Sequence, residues 1–176
     1  MSPADVQRLK LAIRDIPDFP KQGIVFKDIT PILGDGELFR IAVDGCVAVA
    51  RAAGAGKIVG IDARGFVFGA AAAYELGLGF VPVRKAGKLP FQCESASYSL
   101  EYGEAVVEMH IDAVKPGERV VLMDDLLATG GTAGAAVKLI ERIGGNVVSA
   151  VFLIELGFLG GRKALGSTPV ESLLAY

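Results

Sequence analysis

The chain has 176 residues, 52% of them hydrophobic and 22% charged, with a formal net charge of −2. That length suits a single domain with room for a real core, the composition is globular rather than disordered, and the charge balance offers nothing to a polyanion such as DNA or RNA. Cys46 and Cys93 lie far apart without metal-ligand spacing and read as two thiols rather than a disulfide. No apolar stretch approaches the roughly 18 residues of a membrane span, and the amphipathic N-terminus is unlike a signal sequence. A cytoplasmic protein is therefore expected, with neither membrane nor nucleic acid among its partners.

In chain order, Ser2 and Pro3 form a cap and first-turn pair, and Val6, Leu9 and Ile13 then recur on one helical face. DIPDFPKQG breaks that helix, and IVFKDIT reads as a short extended segment ending at Pro31. Asp35 caps a second helix, on which Leu38, Ile41, Ala42, Gly45 and Val49 share a face, closing at Gly54 and Gly56. KIVGID is a strand, followed by a helix from about Gly65 to Leu76 and a strand GFVPV. The polar stretch RKAGKLPFQCESA leads into SYSLEYGEAVVEM, which alternates on both sides of Tyr102, Gly103 and Glu104 as a hairpin does. A strand VVLMD, a helix from Gly131 to Ile143 and a strand VVSAVFLIE complete an α/β alternation around a mostly parallel sheet. His110, the only histidine, reads as a surface residue at the hairpin end.

In open parallel sheets ligands collect beyond the carboxyl ends of the strands. KIVGID ends at Asp62, Ala63, Arg64 and Gly65, GFVPV at Arg84, Lys85 and Lys88, and VVLM at Asp124 and Asp125. Basic side chains and two carboxylates thus gather on one rim. The turn ATGGT, residues 128 to 132, precedes a helix, where backbone N–H groups and hydroxyls can cradle a phosphate. It lacks the Lys-Ser or Lys-Thr pair of a Walker loop, and taken alone it reads equally as an inert turn. Adjacent carboxylates can cap a helix, bind a divalent cation, or accept hydrogen bonds from vicinal sugar hydroxyls. Together with a phosphate loop, they fit a ribose 5-phosphate.

VVLMDDLLATGGT resembles the phosphoribosyl pyrophosphate (PRPP) signature of the type I phosphoribosyltransferases. DFPKQGIVFKDITP, DARGFVFG, ELGLGFVPVRKAGKLP, SYSLEYG and the closing ESLLAY are similar to the adenine-specific branch of that family, from about Ile13 to the C-terminus. The resemblance implies a type I phosphoribosyltransferase fold in one domain, 1–176, with a base-binding hood over 1–34 and a flexible loop and hairpin lid over about 88–110. It implies transfer of ribose 5-phosphate from PRPP to adenine, giving AMP and pyrophosphate, with Mg2+ carried on the sugar diphosphate and a homodimer as the typical assembly.

On matching positions, Ala128, Thr129, Gly130, Gly131 and Thr132 would hold the 5-phosphate and Asp124 and Asp125 the ribose hydroxyls. Arg64 and the backbone of Ala63, at a peptide often cis in the family, would meet pyrophosphate. Arg84, Lys85 and Lys88 would complete that site, with Arg84 reaching across a dimer interface as in family members. Phe26, the main chains of Val25 and Lys27, and Leu156 would hold adenine. Glu101 would act as a protonated acid near N7, with Tyr102 beside it. Cys93, in a variable-looking stretch of the lid, is a candidate oxidisable thiol. Read from the residues alone, Arg84, Lys85 and Lys88 also suit a solvated loop and Tyr102 a plain hairpin aromatic. The competing class is a ligand sensor on the same fold. LIELGFLGG lacks the lysine expected of 6-oxopurine enzymes, which favours adenine.

Overall fold

The computed structural model describes residues 1–19, 21–99 and 104–176. Its contacts group into two compact units, Met1–Gly45 and Cys46–Tyr176.

In the first unit, α1 (Pro3–Ala12) starts at a capping box, in which the Ser2 hydroxyl accepts from Asp5 N–H at 3.2 Å and the Asp5 carboxylate accepts from Ser2 N–H at 3.0 Å. Two short strands follow, β1 (Arg14–Pro17) and β2 (Val25–Asp28), paired antiparallel. Their register sets Arg14 opposite Asp28 and Asp15 opposite Lys27, and both pairs are salt bridges. The extended segment expected to run to Pro31 stops at Asp28. Thr30 opens the short helix α2 (Thr30–Gly34), because a proline in the first turn lacks only an N–H that has no helical partner anyway. Asp35 Oδ1 then accepts from the N–H groups of Glu37 and Leu38, at 2.9 and 3.0 Å, at the start of α3 (Gly36–Ala52).

The second unit is built on a seven-stranded sheet. In chain order come β3 (Lys57–Ile61), α4 (Arg64–Leu76), β4 (Gly79–Lys85), β5 (Cys93–Ser99), β6 (Glu104–His110), β7 (Arg119–Leu127), α5 (Gly131–Arg142), β8 (Asn146–Glu155) and β9 (Val170–Ala175). Strands lie in the order β5-β6-β4-β3-β7-β8-β9, with the five from β4 to β9 parallel and the β5–β6 pair antiparallel at one edge. Helices cover both faces. Gly60 and Phe80 lie towards α4, where a Cβ on Gly69 would sit 2.9 Å from the Phe80 ring. Val59, Ile61, Val81 and Val83 join Leu122, Phe152 and the apolar residues of α5 in the core on the other face. This double burial is why the parallel strands read as continuous apolar runs.

Several strand assignments differ from the sequence reading. β4 runs on past Val83 through Arg84 and Lys85, because β6 pairs with it there, Arg84 opposite Glu108 and Lys85 opposite Val107. β7 runs on through both aspartates to Leu127, because β8 continues to pair with it as far as Glu155. β5 begins at Cys93, so CESA is strand rather than loop, held in register opposite residues 107 to 110. The C-terminal VESLLA forms β9, an edge strand whose buried and exposed positions do not alternate strictly.

Candidate functional site

β3, β4, β7 and β8 are parallel, so their carboxyl ends open on one side of the sheet. Asp124 and Asp125 stand inside β7 near its end, and their surroundings differ. The Asp125 carboxylate is almost wholly buried and forms an ion pair with Arg64 Nε, while the Arg64 side chain remains half exposed. Asp124 Oδ1 accepts the N–H of Asp125 at 2.9 Å. Burial pushes the Asp124 carboxyl well above the ordinary carboxylate range, and the adjacent Asp125 charge adds to the shift, against the opposing pull of the Asp125 N–H and Arg64. Gly65, at the first turn of α4, lets that helix approach this point: a Cβ there would lie 2.7 Å from Asp124 Oδ1 and from Met123 O.

Beyond Leu127 the chain turns through Ala128, Thr129 and Gly130 into α5. Gly130 is the N-cap at φ 83°, and no side chain caps that helix end. Asp124 and residues 126–133 line a cleft of about 90 Å3 there, with Gly131 and Thr132 in the first turn of the helix. Uncapped N–H groups and the positive end of the helix dipole both favour an anion. A Cβ on Gly130 would collide with Gly161 O, so only glycine satisfies both the backbone conformation and the space.

On the other flank, the Asp62–Ala63 peptide is cis. Arg84 Nε donates to Asp62 Oδ2 at 3.1 Å and Arg84 Nη1 to Lys88 O at 3.1 Å, so this arginine is engaged within its own chain. Lys85 and Lys88 are exposed. Leu156 follows β8, and its N–H donates to Leu127 O at 2.9 Å, which sets it beside the start of the glycine turn. In the first unit, Val25 is half exposed, the Phe26 ring meets Phe19 edge-on at 5.2 Å, and Lys27 pairs with Asp15. Glu101 and Tyr102 lie outside the described residues.

Two further expectations change. His110 is half-buried rather than a plain surface residue: its ring meets Phe91 edge-on at 5.8 Å and Nε2 accepts from Phe91 N–H. Cys93 is a strand residue whose Sγ donates to Phe91 O, and burial followed by the Glu108 charge raises its thiol pKa, opposite to what a reactive thiolate needs. Among the described residues, no three His, Cys, Asp or Glu side chains gather as a metal cage. A hard cation at this rim would therefore be held mainly by its own water and by substrate phosphates.

The phosphoribosyl transferase domain profile matches residues 54–164. An adenine phosphoribosyltransferase of Neorhizobium galegae is 58% identical over 163 residues, 93% of this chain and 90% of that protein. The crystal structure of adenine phosphoribosyltransferase from Rhodothermus marinus superposes with a TM-score of 0.94 at 51% identity, covering 99% of this chain and 100% of that one. The chain belongs to the adenine phosphoribosyltransferase family. The Saccharomyces cerevisiae member, solved in complex with an imino-altritol bisphosphate and adenine, is 42% identical with a TM-score of 0.94 over 98% of this chain and 100% of its own.

Two parts of the rim leave little mark in the sequence. Asp62 stands in the sequence only as a strand terminus, yet it anchors Arg84, and no local pattern links two residues 22 positions apart. The 3-10 turn Gly161–Leu165, packed against the glycine turn, carried no periodicity, and only its glycines hinted at a close approach.

Proposed function

We propose that this chain transfers ribose 5-phosphate from PRPP to N9 of adenine, releasing pyrophosphate and giving AMP. The observation that carries the reading is the cleft at the uncapped start of α5, bounded by Asp124 and residues 126–133. In it the N–H groups and hydroxyls of residues 128–132 take the 5-phosphate, and Asp124 and Asp125 accept from the ribose hydroxyls. Arg64, the backbone of Ala63, Arg84, Lys85 and Lys88 hold the pyrophosphate. Val25, Phe26, Lys27 and Leu156 hold the base.

Breaking the bond at the anomeric carbon leaves positive charge on the sugar and negative charge on the departing pyrophosphate. Fixed cations aimed at the leaving group therefore stabilise the transition state more than the ground state. Mg2+ carried on the diphosphate, and held mainly by it, would neutralise further charge there. Glu101 is the proposed general acid for adenine, worth on the order of 10²–10⁴ in rate, with Tyr102 beside it; of the lid expected over about 88–110, residues 93–99 and 104–110 form β5 and β6, with Ala96, Val107 and Met109 in the core. A cytoplasmic homodimer is the assembly that accompanies this reading, with residues 1–34 as the base-binding segment. Absorbance assays with PRPP and Mg2+ against adenine, hypoxanthine and guanine test it. Turnover with adenine alone is expected; binding of PRPP without turnover of any base would move the chain to the sensor class.

A further inference from the structure

The glycine turn is seated on a second turn. A Cβ on Gly130 would collide with Gly161 O, one on Gly161 with Ala128 O, and one on Gly134 would lie 2.5 Å from Ala164 O. The start of α5 and the Gly161–Leu165 turn therefore lie backbone against backbone, and movement of one displaces the other. The second turn carries Arg162. Its Nε and Nη2 donate to the two oxygens of Glu155, each at 2.7 Å, and its Nη1 donates to Val170 O at 2.9 Å. Glu155 ends β8 immediately before Leu156, and Val170 opens β9. A planar fork bound at three points fixes both position and orientation, which an ammonium group cannot do.

We propose that Arg162 is a positioning residue for the 5-phosphate: by locking the Gly161–Leu165 turn to the ends of two strands, it sets where the amides and hydroxyls of residues 128–132 stand. The inference rests on the reading that those residues hold the 5-phosphate. The role is one of positioning, with the Arg162 fork taken up by Glu155 and Val170 O. Its influence passes through the glycine contacts, and displacements near 1 Å can cost on the order of 10²-fold in rate.

The test compares the wild type, Arg162→Met, Arg162→Lys and a Thr129→Ala/Thr132→Ala double variant. Calorimetry gives affinities for ribose 5-phosphate and, separately, for pyrophosphate, and hydrogen exchange follows the amides of residues 128–134. Arg162→Met is expected to weaken ribose 5-phosphate about tenfold, to leave pyrophosphate within about twofold, and to speed exchange in the loop. Arg162→Lys should shift the same way by less, and it decides the matter if Arg162→Met does not fold. Unchanged ribose 5-phosphate affinity, or equal weakening of both ligands, overturns the role of Arg162. An unaltered ribose 5-phosphate affinity in the double threonine variant overturns instead the reading beneath it, that this loop is the 5-phosphate site.

Discussion

Gly65 stands where the first turn of α4 crosses β7, with Met123 O and Asp124 Oδ1 each 2.7 Å from the place a Cβ would occupy. Moving the carboxylate relieves only one of the two contacts, and relieving the other requires main chain to shift as well. Gly65→Ala should therefore cost about 1–3 kcal/mol in denaturant unfolding and lower kcat/KM by displacing Asp124; full activity with unchanged stability would show that the helix simply shifts. At Glu155 the hydrogen bonds from Arg162 hold the carboxyl below its ordinary range, against the opposing effect of burial. The unfolded carboxyl titrates near about 4.3. Its stabilising contribution is thus complete above that pH and is lost as pH falls through the lower folded value. The stability gap between wild type and Glu155→Gln, followed by urea midpoints, should narrow on acidification below about pH 4. A gap that widens would place the origin of the effect elsewhere.

Among the elements, those buried on both sides or firmly capped were legible. β3, β7 and β8 show as apolar runs because helices cover each face of the sheet. α3 shows through its Asp35 cap and its apolar face. What escaped were elements set by pairing rather than pattern. β1 is exposed throughout its four residues, so no alternation marks it, and its partner β2 supplies the charge pairs that hold it. β7 outran its expected end because a polar pair in a strand looks like a terminus until the neighbouring strand is known. The rim residues could be assigned to strand ends from sequence. That Arg64 pairs with Asp125 and Arg84 with Asp62 could not, since each contact joins segments 61 and 22 residues apart. The cap of α1 offers a test confined to one element: Ser2→Ala removes an acceptor for Asp5 N–H and should cost about 1 kcal/mol, read by thermal melting, with kcat and KM unchanged. An equal loss of activity would tie α1 to the site.

At the scale of the whole molecule, the larger unit, Cys46–Tyr176, follows from one arrangement: parallel strands feeding a rim at their carboxyl ends, helices covering the faces, and an antiparallel pair at the edge. Length and α/β alternation were enough to anticipate the mostly parallel sheet, while the net charge of −2 leaves the anion-binding task to local groups rather than to a global field. The rim brings carboxylates and cations together from separate strand ends, Arg64 with Asp125 and Arg84 with Asp62, which suits a ligand carrying both hydroxyls and phosphates. The measurement that tests this most directly is a crystal structure with AMP and pyrophosphate bound. The account predicts the 5-phosphate within hydrogen-bond distance of the Gly131 and Thr132 amides, pyrophosphate on Arg64 and the Ala63 backbone, and adenine against Leu156. AMP phosphate lying away from residues 128–132, with that cleft filled only by solvent, would contradict it.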